Sequence, residues 1–456
     1  MRDTLIGLEN TISALLETKK YATLRDILVT INPADIALMF EDLPEDTLPL
    51  LFRLLPKEQA AETFVDMESD LQEMLIRGFS DAELKEVVDE LYVDDAADIV
   101  EEMPANVVKR ILQQADPETR TMINEILNYP EDSAGSIMTT EYVSLRPKMT
   151  VEDAIKRIRR TGVDKETIYT CYVTQDDRLL IGYISLKHLL LAEEDEVVEH
   201  IMENNLISVR TTDDQEEVAR LFSKYDFMAL PVVDMEGRLV GIVTVDDAID
   251  VIEEETTEDI ERMAAILSTD KQYLKTSVAE LWKARIPWLM FLMISATFTS
   301  MIINSFESAL AAQVVLTAFI PMLMGTGGNS GSQASVTIIR GLSLRQIEFP
   351  DLPRVIWKEL RVAIVCGITL AVVNFVKLML IDRMLLRNPE VTVVIAVIVC
   401  VTLFFVVIFS KIVGGMLPML AKKLGFDPAV MANPFISTIV DAMSLLIYFE
   451  IARIIL

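Results

Sequence analysis

The chain has little of what redox sites and soft-metal sites are built from. In 456 residues there are three cysteines, Cys171, Cys366 and Cys400, and two histidines, His188 and His200. Two of the cysteines fall inside apolar stretches, so neither a disulfide framework nor a thiolate metal site is supported, and a reducing, cytosolic setting is expected for the polar part. Zinc and copper sites are disfavoured for the same reason. No basic tract is present, which argues against a nucleic-acid partner. The start, MRDTLIGLEN, lacks the basic-then-apolar order of a cleavable signal peptide.

Acid and apolar residues are abundant, and they are segregated. Of 70 acidic and 41 basic residues, 60 and 25 lie in residues 1–270, a net charge of −35; the remaining 10 and 16 give the rest of the chain +6. The apolar stretches all follow residue 286, so the sequence reads as a soluble, cation-attracting half joined to a membrane half. Carboxylates in such number favour hard cations, Mg²⁺ or Ca²⁺.

Residues 1–130 alternate short helical patterns with prolines at 33, 44, 56, 104 and 117. Proline in a first turn with acids just after it is helix-start chemistry, and units this short cannot bury a face alone, so a stacked all-α superhelix is expected. Residues 131–200 and 201–256 then repeat a unit of about 60 residues. SIMTTEYVSLRPKMTVEDAIKRI with TCYVTQDDRLLIGYIS is echoed by HIMENNLISVRTTDDQEEVARLF with ALPVVDMEGRLVGIVT. Each copy reads as strand, helix and strand pair, an α+β pattern. The order resembles tandem CBS domains. That resemblance implies ATP or another adenosine nucleotide at Thr244 and Asp246 in the second copy, while Ser185, Lys187 and His188 depart from the pattern in the first. Next comes DDAIDVIEEETTEDIERM, where like charges four apart (Asp246–Asp250, Asp250–Glu254, Glu254–Glu258) each cost roughly 0.2–0.5 kcal/mol. A divalent cation would neutralise them.

Five membrane spans are expected, near 286–306, 311–339, 360–381, 391–420 and 429–452, after a connecting helix at 257–285. Lys and Arg near the span ends number eleven on the N-terminal side and three on the other, placing the N-terminus in the cytosol and the C-terminus outside. The second span carries PMLMGTGGNSGSQASVTIIRG, with Gly328 and Asn329 in a charge-free, glycine-rich run. In the last, the stretch bounded by Asp427 and Glu450 carries a single charge, Asp441, with Asn433, Ser437 and Ser444 on the same helical face. A charge at that depth costs several kcal/mol unless it meets water, a cation or a partner. Either Asp441 lines an ion path, or it pairs with Lys377 or Lys411. Pro434, read as lying inside this helix, would free the carbonyl of Val430.

Taken in order, the acidic helical N-domain, the CBS pair, the acidic connecting helix, GTGGNSGSQASVTIIRGL and NPFISTIVDAMSLLIYF resemble an MgtE-type magnesium channel along essentially the full chain. The resemblance implies a homodimer in the cytoplasmic membrane, with a pore along the dimer axis and hydrated Mg²⁺ held by Asp441. It also implies regulatory Mg²⁺ at Asp95, Asp247, Asp250, Glu255, Glu258, Asp259 and Asp427, closing the pore when cytosolic Mg²⁺ is high. The rival readings are a broader carrier of Co²⁺, Mn²⁺ or Ni²⁺, a membrane-anchored nucleotide sensor, and an intramembrane aspartyl protease, which needs two carboxylates sharing one proton. The protein is expected not to be an enzyme.

Overall fold

The computed structural model describes residues 2–267, 273–274, 276–306, 314–431 and 433–456, with the backbone alone at 2–6, 9, 10, 164, 431 and 433. The chain forms two compact units, Met1–Glu253 and Glu254–Leu456.

The first unit opens with helices α1 (Arg2–Glu17) to α10 (Pro117–Ile126), stacked around one apolar core that runs from Ile12 to Ile126. Proline and cap chemistry set the helix starts. Pro33 and Pro117 stand in first turns behind Asn32 and Asp116, whose side chains accept from backbone N–H groups. α7 (Asp81–Val88) begins with a full capping box between Ser80 and Glu83. α5 (Lys57–Val65) and α8 (Val93–Glu102) lie between these in sequence.

Two three-stranded sheets follow, with the same topology. β1 (Tyr142–Leu145), β2 (Thr167–Thr174) and β3 (Leu180–Ser185) form one, and β4 (Val209–Arg210), β5 (Ala229–Val233) and β6 (Leu239–Thr244) the other. In each, the first pair is parallel and the second antiparallel. The copies exchange segments: Thr139, before the first sheet, bridges Ile242 of the second, and Glu203 bridges Tyr183 of the first. This crossing explains the repeated glycine at the third position of each last strand. A Cβ on Gly182 would stand 2.8 Å from the Glu203 carbonyl, and one on Gly241 2.8 Å from that of Thr139. Only glycine admits the other copy's backbone so closely.

α15 (Val245–Met263) carries the boundary between the units. It stops at Ala264–Ala265, with Ala265 at φ +57°, and α16 (Val278–Ser305) starts afresh at a Ser277–Glu280 capping box. The expected connecting helix over 257–285 is therefore not continuous. α17 (Ile320–Ser343) is preceded by a 3₁₀ segment at Val314–Phe319 and carries Pro321 in its first turn, where a missing N–H costs no helical hydrogen bond. α18 (Leu352–Lys377) continues as a π-helical segment, Leu378–Leu385; α19 (Val393–Lys423) and α20 (Asn433–Ile455) complete the bundle.

Among the described residues, four long helices, Val278–Ser305, Phe349–Leu385, Val393–Lys423 and Pro434–Ile455, have the length and composition to cross a membrane. α17, the expected second span, is too rich in glycine and hydroxyl groups to qualify by hydropathy. Pro434 lies in the first turn of α20 after a 3₁₀ turn at Ala429–Met431, so it breaks no interior helical bond; the expectation of a freed Val430 carbonyl is corrected.

Candidate functional site

In the second unit, the site is built on close contact between α17, α19 and α20. Gly414 of α19 lies against the Gly331 carbonyl of α17, leaving no room for a Cβ. On the same face of α17, a Cβ at Gly327 would meet Val406 of α19 at 2.7 Å and Val440 and Ser444 Oγ of α20 at 2.8 and 3.0 Å, and one at Gly328 would sit 3.6 Å from Ser437 Oγ. The glycines thus bring α20 in with Ser437 and Ser444 facing α17. Asp441, one turn from each, is half-buried. It makes no ion pair among the described residues: Lys377 pairs instead with Asp382 at 2.8 Å, and no ion pair joins Asp441 to Lys411. The buried-pair alternative is overturned.

The face of α17 away from α20 is exposed and polar: Gly325, Asn329, Gln333, Thr337 and Arg340 stand four or three residues apart along it. By contrast α16 exposes Leu289, Met293, Phe298 and Met301, as a lipid-facing helix would. Gly328 itself is buried and Asn329 exposed, so the two neighbours serve different surfaces. The side chain of Asn433 lies outside the described residues.

At the start of the second unit, the acids at the end of α15 already have partners. Arg262 pairs with Glu258 and donates to Asp427 Oδ2 at 2.6 Å, while Asp427 Oδ1 accepts from the Ala429 N–H at 2.7 Å. The Ser343 hydroxyl donates to Asp259 at 3.4 Å. Burial, then the neighbouring Asp427, raises the Asp259 carboxyl above its ordinary range. Glu255 also has a partner.

Within the first unit, a second group of carboxylates gathers from elements far apart in sequence. Asp94, Asp95 and Asp98 come from α8, Asp246, Asp247 and Asp250 from the start of α15, Glu166 from the residue before β2, and Asp66 from the end of α5. Asp94 is only 6% exposed, and its Oδ1, like Glu166 Oε2, is buried without a hydrogen-bond partner among the described residues. Burial first and the Asp247 charge second push Asp98 up to about 8 and Asp95 to about 7. Burial and Asp95 push Glu166 to about 8. Asp247 rises to about 6 through burial, opposed by hydrogen bonds from Thr244, whose hydroxyl donates at 2.5 Å. Asp250 is raised by burial and Asp246. The group is a field of mutually repelling acids. Among the described residues, no three His, Cys, Asp or Glu side chains form a finished set of metal ligands.

Asp66, Glu166 and Arg262 were not singled out from the sequence. For Arg262 a signal existed, because it is the one base in Val245–Met263 and stands four residues after Glu258. For Asp66 and Glu166 there was none; each joins the group through the fold alone.

Three family profiles tile the chain. "MgtE intracellular N domain" matches residues 31–132, "CBS domain" matches 134–195 and 198–254, and "Divalent cation transporter" matches 320–451. Magnesium transporter MgtE of Thermus thermophilus is 40% identical over 437 residues, 95% of each chain. The chain belongs to the MgtE family. Magnesium transporter MgtE of Bacillus subtilis is 33% identical over 97% of this chain and 96% of its own. Among solved MgtE structures, the cytosolic domain of the Mg²⁺ channel MgtE in complex with ATP superposes with TM-score 0.51 at 39% identity, covering 53% of this chain and 99% of that one. The soluble part of a magnesium transporter gives 0.52 at 30% identity over 55% and 99%. Like other MgtE members, this chain is a multi-pass membrane protein with an acidic helical domain and a CBS pair.

Proposed function

We propose that the protein carries Mg²⁺ across the cytoplasmic membrane as a homodimer, with the N-terminus in the cytosol, and that cytosolic Mg²⁺ closes the path. The observation that carries this reading is the polar surface on α17 and α20. Asn329, Gln333 and Thr337 are exposed on a helix within an apolar bundle, and the helix packed against its glycines carries a carboxylate, Asp441, with no counter-charge among the described residues. Such a surface is costly against lipid and is relieved by water and a second copy facing it. Mg²⁺ gives up its water reluctantly, so a path suits it when carboxylates and amides hold the ion through its hydration shell. Asp441 of each copy supplies the charge. Ser437, Asn433, Asn329 and the backbone at Gly328 supply oxygen and space. The two full-length relatives, both magnesium transporters by name, support Mg²⁺ over other divalent ions.

Closure draws on the acids of both units. In the first, Asp95, Asp247 and Asp250, with Asp94, Asp98 and Glu166, stay repelled until a proton or a divalent cation neutralises them. In the second, Glu255, Glu258, Asp259 and Asp427 gather where α15 ends. ATP at the CBS pair fits the relative solved with that nucleotide; here the Thr244 hydroxyl is engaged by Asp247, next to Asp246. The deciding experiment is Mg²⁺ flux into proteoliposomes. Asp441→Asn keeps the shape and removes the charge, and should abolish flux while assembly is kept. Normal flux from a correctly assembled Asp441→Asn protein would sink the assignment.

A further inference from the structure

We propose that Arg262 is a built-in cation of the closed state, a positioning residue that bridges Glu258 on α15 and Asp427 before α20 and so sets how much Mg²⁺ closure requires. This rests on the reading of the protein as a carrier closed by cytosolic Mg²⁺. The geometry that points to it lies wholly within Glu254–Leu456. Arg262 reaches two acids on different elements, and the Asp427 contact spans 165 residues of chain. Asp427 is fixed in turn: one oxygen holds the turn at Ala429 and the other accepts from the guanidinium. Asp259, also close by, takes its hydrogen bond from Ser343 of α17.

Three carboxylates thus meet where the end of α15 approaches the loop between α19 and α20, and the charge placed between two of them belongs to the chain. A guanidinium is always protonated and presents a planar fork of donors suited to two carboxylates at once. A Mg²⁺ ion at the same place would have to exchange part of a tightly held water shell for those oxygens, and would be present only when its concentration allows. The tethered charge has no such dependence. It stabilises closure at every Mg²⁺ concentration, so fewer ions need to bind before the closed form dominates. Removing it takes the base from between Glu258 and Asp427, while the Arg340 charge still acts on Asp259, and the charge lost between the two must come from solution.

The test is the half-closing Mg²⁺ concentration of the full chain in proteoliposomes, with protease protection of residues 254–285 followed in parallel. Wild type, Arg262→Gln, Arg262→Lys, Asp427→Asn and the double variant Arg262→Gln/Asp427→Asn are compared. Arg262→Gln should raise the half-closing concentration at least about fivefold, the low end of a coupling between sites. Arg262→Lys, keeping the charge but losing the fork, should recover most of it, and the double variant should shift no further than the larger single shift. If Arg262 only packs the fold, Gln and Lys would lower thermal stability without moving the threshold, and the proposal is overturned. It is overturned too if Arg262→Gln closes at the wild-type concentration or below it, or if the two single shifts add in full in the double variant. A wild type that ignores Mg²⁺ in the same assay would refute the underlying reading instead. If Arg262→Gln fails to fold, the Lys variant decides: a threshold shifted as far as that of Asp427→Asn is the overturning result.

Discussion

At Gly414 the packing of the membrane bundle comes down to a single hydrogen atom. A methyl group there would collide with the Gly331 carbonyl, which is backbone and cannot swing aside. Gly328 differs, because a Cβ would find only Ser437 at 3.6 Å, an ordinary contact. Gly414→Ala should therefore destabilise the detergent-solubilised protein by about 1–3 kcal/mol, the usual range for overpacking, while Gly328→Ala should change stability little. Thermal melts of both variants check this. Gly328→Leu goes further and should cut Mg²⁺ flux, since the larger side chain enters the space beside Ser437; cross-linking yield, measured on the same sample, should stay at the wild-type level.

Among the elements, the clearest consequence is a dependence on pH. Asp94, Asp95 and Asp98 of α8, Asp247 and Asp250 of α15, and Glu166 are raised above their ordinary values, some to about 7 or 8. For an acid, a raised value in the packed state means that the charged form is disfavoured there. The penalty is absent below the ordinary carboxylate value near 4, grows as pH rises through it, and is complete once pH passes the raised value. Without divalent ions, packing of these elements should therefore strengthen as pH falls from about 8.5 to 5.5. Mg²⁺ competes with protons for the same oxygens, so its protective effect should be larger at the higher pH. Limited proteolysis of the full chain in chelator and in millimolar Mg²⁺, at both pH values, shows whether the two trends cross. The sequence disclosed these elements unevenly. Helices begun by proline behind Asn32 or Asp116 were legible from local chemistry. α7 was passed over although Ser80 and Glu83 spell its capping box. Asp441 was legible because a lone charge in an apolar run needs no partner to be noticed. Arg262–Asp427 and the entry of Glu166 and Asp66 into the acidic group were not, since those contacts join residues far apart in sequence and no local pattern encodes them.

For the whole molecule, the −35 charge of residues 1–270 would make the proposed closure a collective property. A cation bound only by the compact form stabilises it by about 0.4 kcal/mol when its concentration equals Kd, so one site is a poor switch. Five or six sites at a few times Kd give roughly 4–5 kcal/mol, enough to move a two-state equilibrium nearly from end to end. Neutralising Asp247, Asp250, Glu258 and Asp259 together should therefore leave flux high at millimolar cytosolic Mg²⁺. The same variant should resist protease better than wild type in chelator, because part of the repulsion is gone; flux and proteolysis on one preparation test both halves.

The Lys377–Asp382 pair has a bearing on the lipid itself. Between Arg361 and Lys377 the apolar run of α18 is 15 residues, about 22 Å at 1.5 Å per residue, short of a hydrocarbon core near 30 Å. A π turn joins residues five apart, and it sets Lys377 beside Asp382 at 2.8 Å. With the lysine neutralised by its own helix, the apolar run extends past it to Ile381, 20 residues or about 30 Å. The pair thus adjusts the hydrophobic length of α18, so Asp382→Asn should shift the bilayer in which the protein is most stable toward shorter acyl chains.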